Sequence, residues 1–176
     1  EHGCTYCYAR PSHAFMGLSA GLDFETKLFA KYDVARLLED ALRKPDYQVA
    51  PIALGTNTAP YQPIERELKL TSSILAVLDE CNHPVAIVTK SAGILRDLDR
   101  LTSMARRGLV SVGLSVTTLD AELSRLMEPR CSSPARRIDT IRHLSEAGIP
   151  VRVMASPMIP GLNDCELADI LGAARK

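Results

Sequence analysis

Short apolar runs alternate with amphipathic stretches along this chain, and that alternation constrains its fold more than any other feature. Val34, Leu37, Leu38, Ala41 and Leu42 fall at helical spacing and predict a helix over 34–43. Pro45 and Asp46 stop it, and Ile52-Ala53-Leu54 reads as a strand. A second helix fits 64–79, with Ile64, Leu68, Leu75 and Leu78 on one face and Pro63 at its start. The run 85–88 is the next strand, and 93–106 the next helix, ended by Gly108. A third strand covers 109–116, and Asp120 caps a short helix carrying Leu123 and Leu126. Ser133 and Pro134 open a longer helix that Gly148 and Pro150 close, and 151–154 forms a further strand. Asn163 or Asp164 caps a last helix bearing Leu167, Ile170 and Leu171.

Strands separated by helices of this length imply βαβ units and a parallel α/β sheet. The runs 85–88 and 109–116 are nearly all apolar, as expected of strands covered on both faces. Periodicity alone leaves two architectures open, an open doubly wound sheet and a sheet curved into part of a barrel. At 176 residues and 46% hydrophobic, the chain suits a single domain with a core and excludes a disordered tail. No apolar run approaches the ~20 residues of a membrane span. Twenty-one basic residues balance twenty-one acidic ones, so charge gives no sign of nucleic-acid binding. Five cysteines, an odd number with three isolated, argue against a disulfide framework and for a cytoplasmic setting. Glu1 lies in a loop pattern and Lys176 in a helical one, so the chain is expected to be a piece of a longer protein.

Every apolar run ends in small polar or charged residues. These are Gly55-Thr56-Asn57-Thr58, Thr89-Lys90-Ser91, Ser115-Val116-Thr117-Thr118 and Ala155-Ser156. In a parallel sheet these ends share one edge, where α/β folds bind ligands. Loop starts and helix caps are also polar as a rule. Four coincident polar ends, one carrying Lys90, favour a binding edge, and a cation there suits a carboxylate or phosphate.

Cys4 and Cys7 are the one cysteine pair with motif spacing, C-x2-C. Three chemistries use it: half of a zinc site, with His2 and His13 as nitrogen ligands; a redox dithiol; and two ligands of an iron–sulfur cluster. Gly3 and Pro11 make the region loop-like, which disfavours the dithiol. Cys81, Cys131 and Cys165 read as ordinary thiols, and Arg130, Arg136 and Arg137 as a solvated basic face.

The segment Gly3-Cys4-Thr5-Tyr6-Cys7-Tyr8-Ala9 resembles the second half of the C-x3-C-x2-C loop of radical S-adenosylmethionine (SAM) enzymes. The strand-end segments at 54–65, 88–91, 114–118 and 159–164 are similar, in the same order, to the branch that includes spore photoproduct lyase and its bacterial relatives. The resemblance covers nearly the whole chain. It implies a partial (β/α)6 TIM-like barrel truncated at both ends. Residues 1–176 would be an incomplete radical SAM core, with the first strand and first cluster cysteine upstream of Glu1 and the last strand downstream.

The resemblance also implies an enzyme carrying a [4Fe-4S] cluster and SAM, served by an electron donor such as flavodoxin or ferredoxin. Cys4 and Cys7 would bind the cluster. Tyr6, Thr56, Asn57, Lys90, Ser115, Thr117, Pro160 and Gly161 would contact SAM, with Lys90 on its carboxylate and Ser115 and Thr117 on the ribose. No catalytic residue is assigned, and the substrate is unknown. The hydrogen-donating cysteine of spore photoproduct lyases has no counterpart in Ala53-Leu54-Gly55-Thr56, so photoproduct repair is not expected. The alternative is a zinc-binding Cys/His loop on a non-catalytic α/β domain.

Overall fold

A computed structural model describes residues 1–175. Strands β1 (Ile52–Leu54), β2 (Val85–Thr89), β3 (Val110–Ser115) and β4 (Val151–Met154) form one parallel sheet in the order β1-β2-β3-β4. Leu54 pairs with Ile87, Ile87 with Val112, and Leu114 with Val153, so the four C-terminal ends share an edge. Each crossover steps to the next strand in the same direction. A doubly wound sheet reverses once; this one does not, and its order is that of a barrel segment.

Among the described residues there are eight α-helices: α1 (Leu22–Thr26), α2 (Val34–Leu42), α3 (Glu65–Leu68), α4 (Leu70–Glu80), α5 (Leu98–Arg106), α6 (Ala121–Met127), α7 (Pro134–Glu146) and α8 (Leu167–Arg175). The apolar faces of α2, α4, α5, α7 and α8 pack on one face of the sheet. Leu75 and Leu78 of α4, Leu101 and Met104 of α5 and Leu144 of α7 bury completely against Ile87 and Val112. Burying each such side chain contributes roughly 1.5–3 kcal/mol.

The other sheet face carries Ala53, Ala86, Val88, Gly113 and Met154, paired across the ladder, and is only partly covered. The apolar run of β2 is therefore less covered on that face, whereas β3 is buried on both faces from Val112 onward. One face packs on helices; the other turns toward the concave side.

Three local departures from the sequence pattern have physical causes. The helix expected over 64–79 breaks at Lys69, whose φ is +52°. The Glu65 carboxylate there accepts hydrogen bonds from the Leu70 and Thr71 amides at 3.2 and 3.0 Å, starting α4 afresh. The helix expected over 93–106 begins as a 3-10 turn, Ala92–Asp97, whose first amides are claimed by Ser91 and Ser132 hydroxyls. Asn163 does not cap the last helix. Its amide donates to the Thr117 and Pro157 carbonyls and accepts from the Ile159 amide, tying the strand-end loops together. Asp120 and Ser133 cap α6 and α7 as their positions predict.

Candidate cofactor site

The cysteine loop is stitched onto the segment that follows α6. The Thr5 amide donates to the Met127 carbonyl at 2.9 Å, and the Arg130 amide to the His2 carbonyl at 3.1 Å. Arg130 Nε donates to the Glu1 carbonyl at 2.7 Å. Arg10 reaches the Cys4 carbonyl through Nε and Nη2, and both arginines grip Glu25, at 2.7 and 2.6 Å. Gly3 has φ +73°, and a Cβ there would stand 2.0 Å from the Arg130 guanidinium.

This loop roofs a cleft of about 440 Å³ at the C-terminal edge of the sheet. Cys4, Tyr6 and Cys7 line its upper side. Thr56 and Asn57 beyond β1, Lys90 beyond β2 and Ser115 at the end of β3 line its floor. Ser156 and Pro157, beyond β4, complete it. Gly55 makes the turn that aims Thr56 inward: its φ is +98°, and a Cβ would fall 2.0 Å from the Val88 carbonyl oxygen.

Seven of the ten residues expected at the site thus share one cleft. The other three do not line it. Thr117 is fully buried with its hydroxyl unpartnered. Pro160 and Gly161 are exposed, and the Gly161 amide is spent on the Asp164 carboxylate at 2.9 Å.

Beneath the cysteine loop lies an almost wholly buried carboxylate, Glu128, at 2% exposure. It is ion-paired with the equally buried Arg137, accepts the Tyr6 hydroxyl, and stands 3.6 Å from Lys90 Nζ. Burial pushes the Glu128 carboxyl up, but the charges of Arg137 and Lys90 and the bonds from Tyr6 and Arg137 outweigh it and hold it below its ordinary value. Burial and the Glu128 charge together push the Tyr6 phenol far up, so it stays a donor. Losing either partner of the Glu128–Arg137 pair would leave a bare buried charge, at a cost of about 3–5 kcal/mol.

Arg137 is therefore no part of a solvated face, and Arg130 is a clasp for the loop. One carboxylate meets two cations in this cluster. The surplus positive charge sits on Lys90, whose ammonium lies 5.6 Å from the Tyr6 ring centre and lines the cleft.

Cys4 Sγ lies 3.8 Å from Cys131 Sγ. The hydrogen-bonding contact with Cys131 lowers the Cys4 pKa against the opposing effect of burial, while burial raises that of Cys7. The His2 ring Nδ1 contacts the Arg130 carbonyl at 3.2 Å, and a carbonyl only accepts, so Nδ1 carries the proton. Burial holds His2 neutral, with a pKa of about 4. Its Nε2 is then a bare lone pair, buried without a partner in the cleft wall. His13 is spent elsewhere: it bonds the Lys27 carbonyl at 2.9 Å and packs edge-on against Phe24 and Phe29. The zinc alternative loses that ligand; that among the described residues no three His, Cys, Asp or Glu side chains stand together as a metal site bears equally on zinc and on a cluster.

Glu128, Arg137 and Cys131 are the site residues that sequence reasoning missed. Glu128 and Cys131 lie more than 120 residues from the loop they contact, and no local pattern marks them. An Arg in the first turn of a helix looks like any solvated one.

The Radical SAM superfamily profile matches residues 1–174, and the chain belongs to that superfamily. It is 37% identical over 164 residues to the uncharacterized protein Rv2578c of Mycobacterium tuberculosis, covering 93% of this chain and 48% of that protein. It is 30% identical over 166 residues to the uncharacterized protein MJ0683 of Methanocaldococcus jannaschii, covering 94% and 60%. The chain thus spans about half the length of the curated relatives it matches.

The fold is similar to Streptococcus suis SuiB bound to S-adenosylmethionine, with a TM-score of 0.55 at 20% identity over 80% of this chain and 31% of that one. SuiB bound to precursor peptide SuiA gives 0.58 at 22% identity, covering 84% and 31%. The likeness to the spore photoproduct lyase branch rests on the sequence segments alone.

Proposed function

We propose that this chain is the cofactor-binding core of a radical SAM enzyme, and that the cleft under the cysteine loop holds a [4Fe-4S] cluster and SAM. The observation that carries this reading is the convergence of two thiols, a surplus cation and three hydrogen-bonding side chains on one cleft. The residues fit those groups. Cys4 and Cys7 are the soft thiol donors that iron–sulfur clusters take. The His2 Nε2 is unpartnered, and Lys90 is the second cation, after Arg137, on the single carboxylate of Glu128.

Cys4 and Cys7 supply two thiolates to the cluster. Lys90 pairs with the SAM carboxylate, a charge-assisted contact. Thr56 and Asn57 take the amino group, and Ser115 takes a ribose hydroxyl. When bound and reduced, the cluster supplies the electron that splits the SAM sulfonium into methionine and a 5′-deoxyadenosyl radical. The protein's part is to orient the nucleotide and keep water from it. A flavodoxin- or ferredoxin-like reductant supplies the electron.

Full-length protein, reconstituted anaerobically and reduced with dithionite, is expected to release 5′-deoxyadenosine and methionine from SAM. A reconstituted protein that leaves SAM intact would overturn this reading.

A further inference from the structure

The geometry points to Glu128 as a positioning residue that fixes Tyr6 of the cysteine loop and the Lys90 ammonium together, so that the thiol-bearing roof and the carboxylate-binding cation are held as one unit. This rests on the proposed placement of SAM. Glu128 does not itself line the cleft; Tyr6 and Lys90 do. It acts through them.

Both carboxylate oxygens are committed, to different tasks. Oε2 takes the Arg137 guanidinium, which also donates to the Ser132 carbonyl at 2.7 Å and the Ser115 carbonyl at 3.1 Å. That side anchors Glu128 to the end of β3 and the start of α7. Oε1 accepts the Tyr6 hydroxyl and faces Lys90 Nζ. If Glu128 served packing alone, Arg137 would already neutralise it. The second oxygen instead collects two groups from separate elements, the loop and the end of β2, both from residues that line the cleft. The backbone stitches at Met127 and Arg130 hold Glu128 under the loop from either side. A negative charge at that spot draws Lys90 toward Tyr6, yet its charge is already matched by Arg137. Lys90 therefore stays available to an anion.

The test uses the full-length protein with its cluster and, separately, freed of metal. Lys90→Ala and Glu128→Gln are each expected to weaken SAM binding about tenfold, the size of a lost hydrogen bond to a charged group. Iron content should hold, and the double variant should bind no worse than Lys90→Ala. In metal-free protein, Tyr6→Phe and Glu128→Gln should each raise the rate at which a thiol reagent modifies Cys7, by a similar factor and without adding together. Tyr6→Phe keeps the Glu128–Arg137 pair, so it carries this arm should Glu128→Gln fail to fold. Additive losses in the Lys90/Glu128 pair, or a Cys7 rate indifferent to Tyr6→Phe, overturn the inference. A cluster-loaded wild type that binds no SAM overturns the proposed function instead, and the Cys7 rates then decide the Tyr6–Glu128 link alone.

Discussion

Cys131, 127 residues along the chain, holds its thiol against that of Cys4, with Sγ atoms 3.8 Å apart. The contact makes the two thiols unequal: the hydrogen bond lowers the Cys4 pKa and raises that of Cys131, and burial raises Cys131 further. Cys4 is thereby favoured as a thiolate, the form that binds metal. Cys131→Ala removes this contact, the largest of the influences that lower the Cys4 pKa, against which burial acts. In metal-free protein, the pH profile for alkylation of Cys4, followed by peptide mass spectrometry, should move to higher pH. An unchanged profile would show that the contact does not tune Cys4.

Lys90 carries the charge left over from the Glu128–Arg137 pair. Lys90→Met keeps the length and apolar stem of the side chain and removes that charge. In the cluster-loaded protein it is expected to weaken SAM binding by about tenfold, with iron content and melting temperature close to wild type. Equilibrium dialysis with labelled SAM is a direct check, and unaltered affinity would remove Lys90 from the site.

Gly55 sits where a side chain has neither a comfortable backbone nor space, with the Val88 carbonyl 2.0 Å from an added Cβ. Gly108 also has a positive φ, +68°, but open space around it. Gly55→Ala should therefore cost clearly more than Gly108→Ala, for which about 1 kcal/mol of backbone strain is expected. Melting temperatures of the two variants provide the comparison. Gly55→Ala should also disturb the cleft floor, because Thr56 and Asn57 follow the turn.

Glu25 is the clasp on Arg10 and Arg130, and hydrogen bonds from Arg130 and Arg10 hold its carboxyl below the ordinary value. A group with a lowered folded-state pKa stabilises the fold above its unfolded pKa, about 4.3 for Glu. That contribution is lost as the pH falls through the lower folded value. Glu25→Gln should therefore narrow its stability gap from wild type below about pH 4. Both should fall together there as other carboxyls protonate. Melting curves between about pH 3 and pH 7 test this.

The parts of the fold that the chain spells out are local. Apolar periodicity marks every strand within a residue or two, and Asp120 and Ser133 announce their helices because capping is read from adjacent residues. The polar strand ends mark the cleft because a parallel sheet must bring them to one edge. The break at Lys69 is hidden, since it depends on Glu65 folding back to claim two amides five and six residues ahead. Glu128, Arg137 and Cys131 are hidden for a stronger reason. Their roles exist only once the cysteine loop has docked on the segment after α6, and that docking joins the two regions across most of the chain. Thr117, Pro160 and Gly161 follow the strand ends in sequence, but beyond β3 and β4 the chain turns them away from the cleft.

The most direct measurement is anaerobic iron–sulfur reconstitution of the full-length protein, followed by electron paramagnetic resonance of the reduced sample with and without SAM. The account predicts a brown protein with iron and sulfide in a ratio of about one, and a reduced-cluster signal that changes when SAM is added. A colourless protein that retains zinc, or a cluster signal indifferent to SAM, would contradict it.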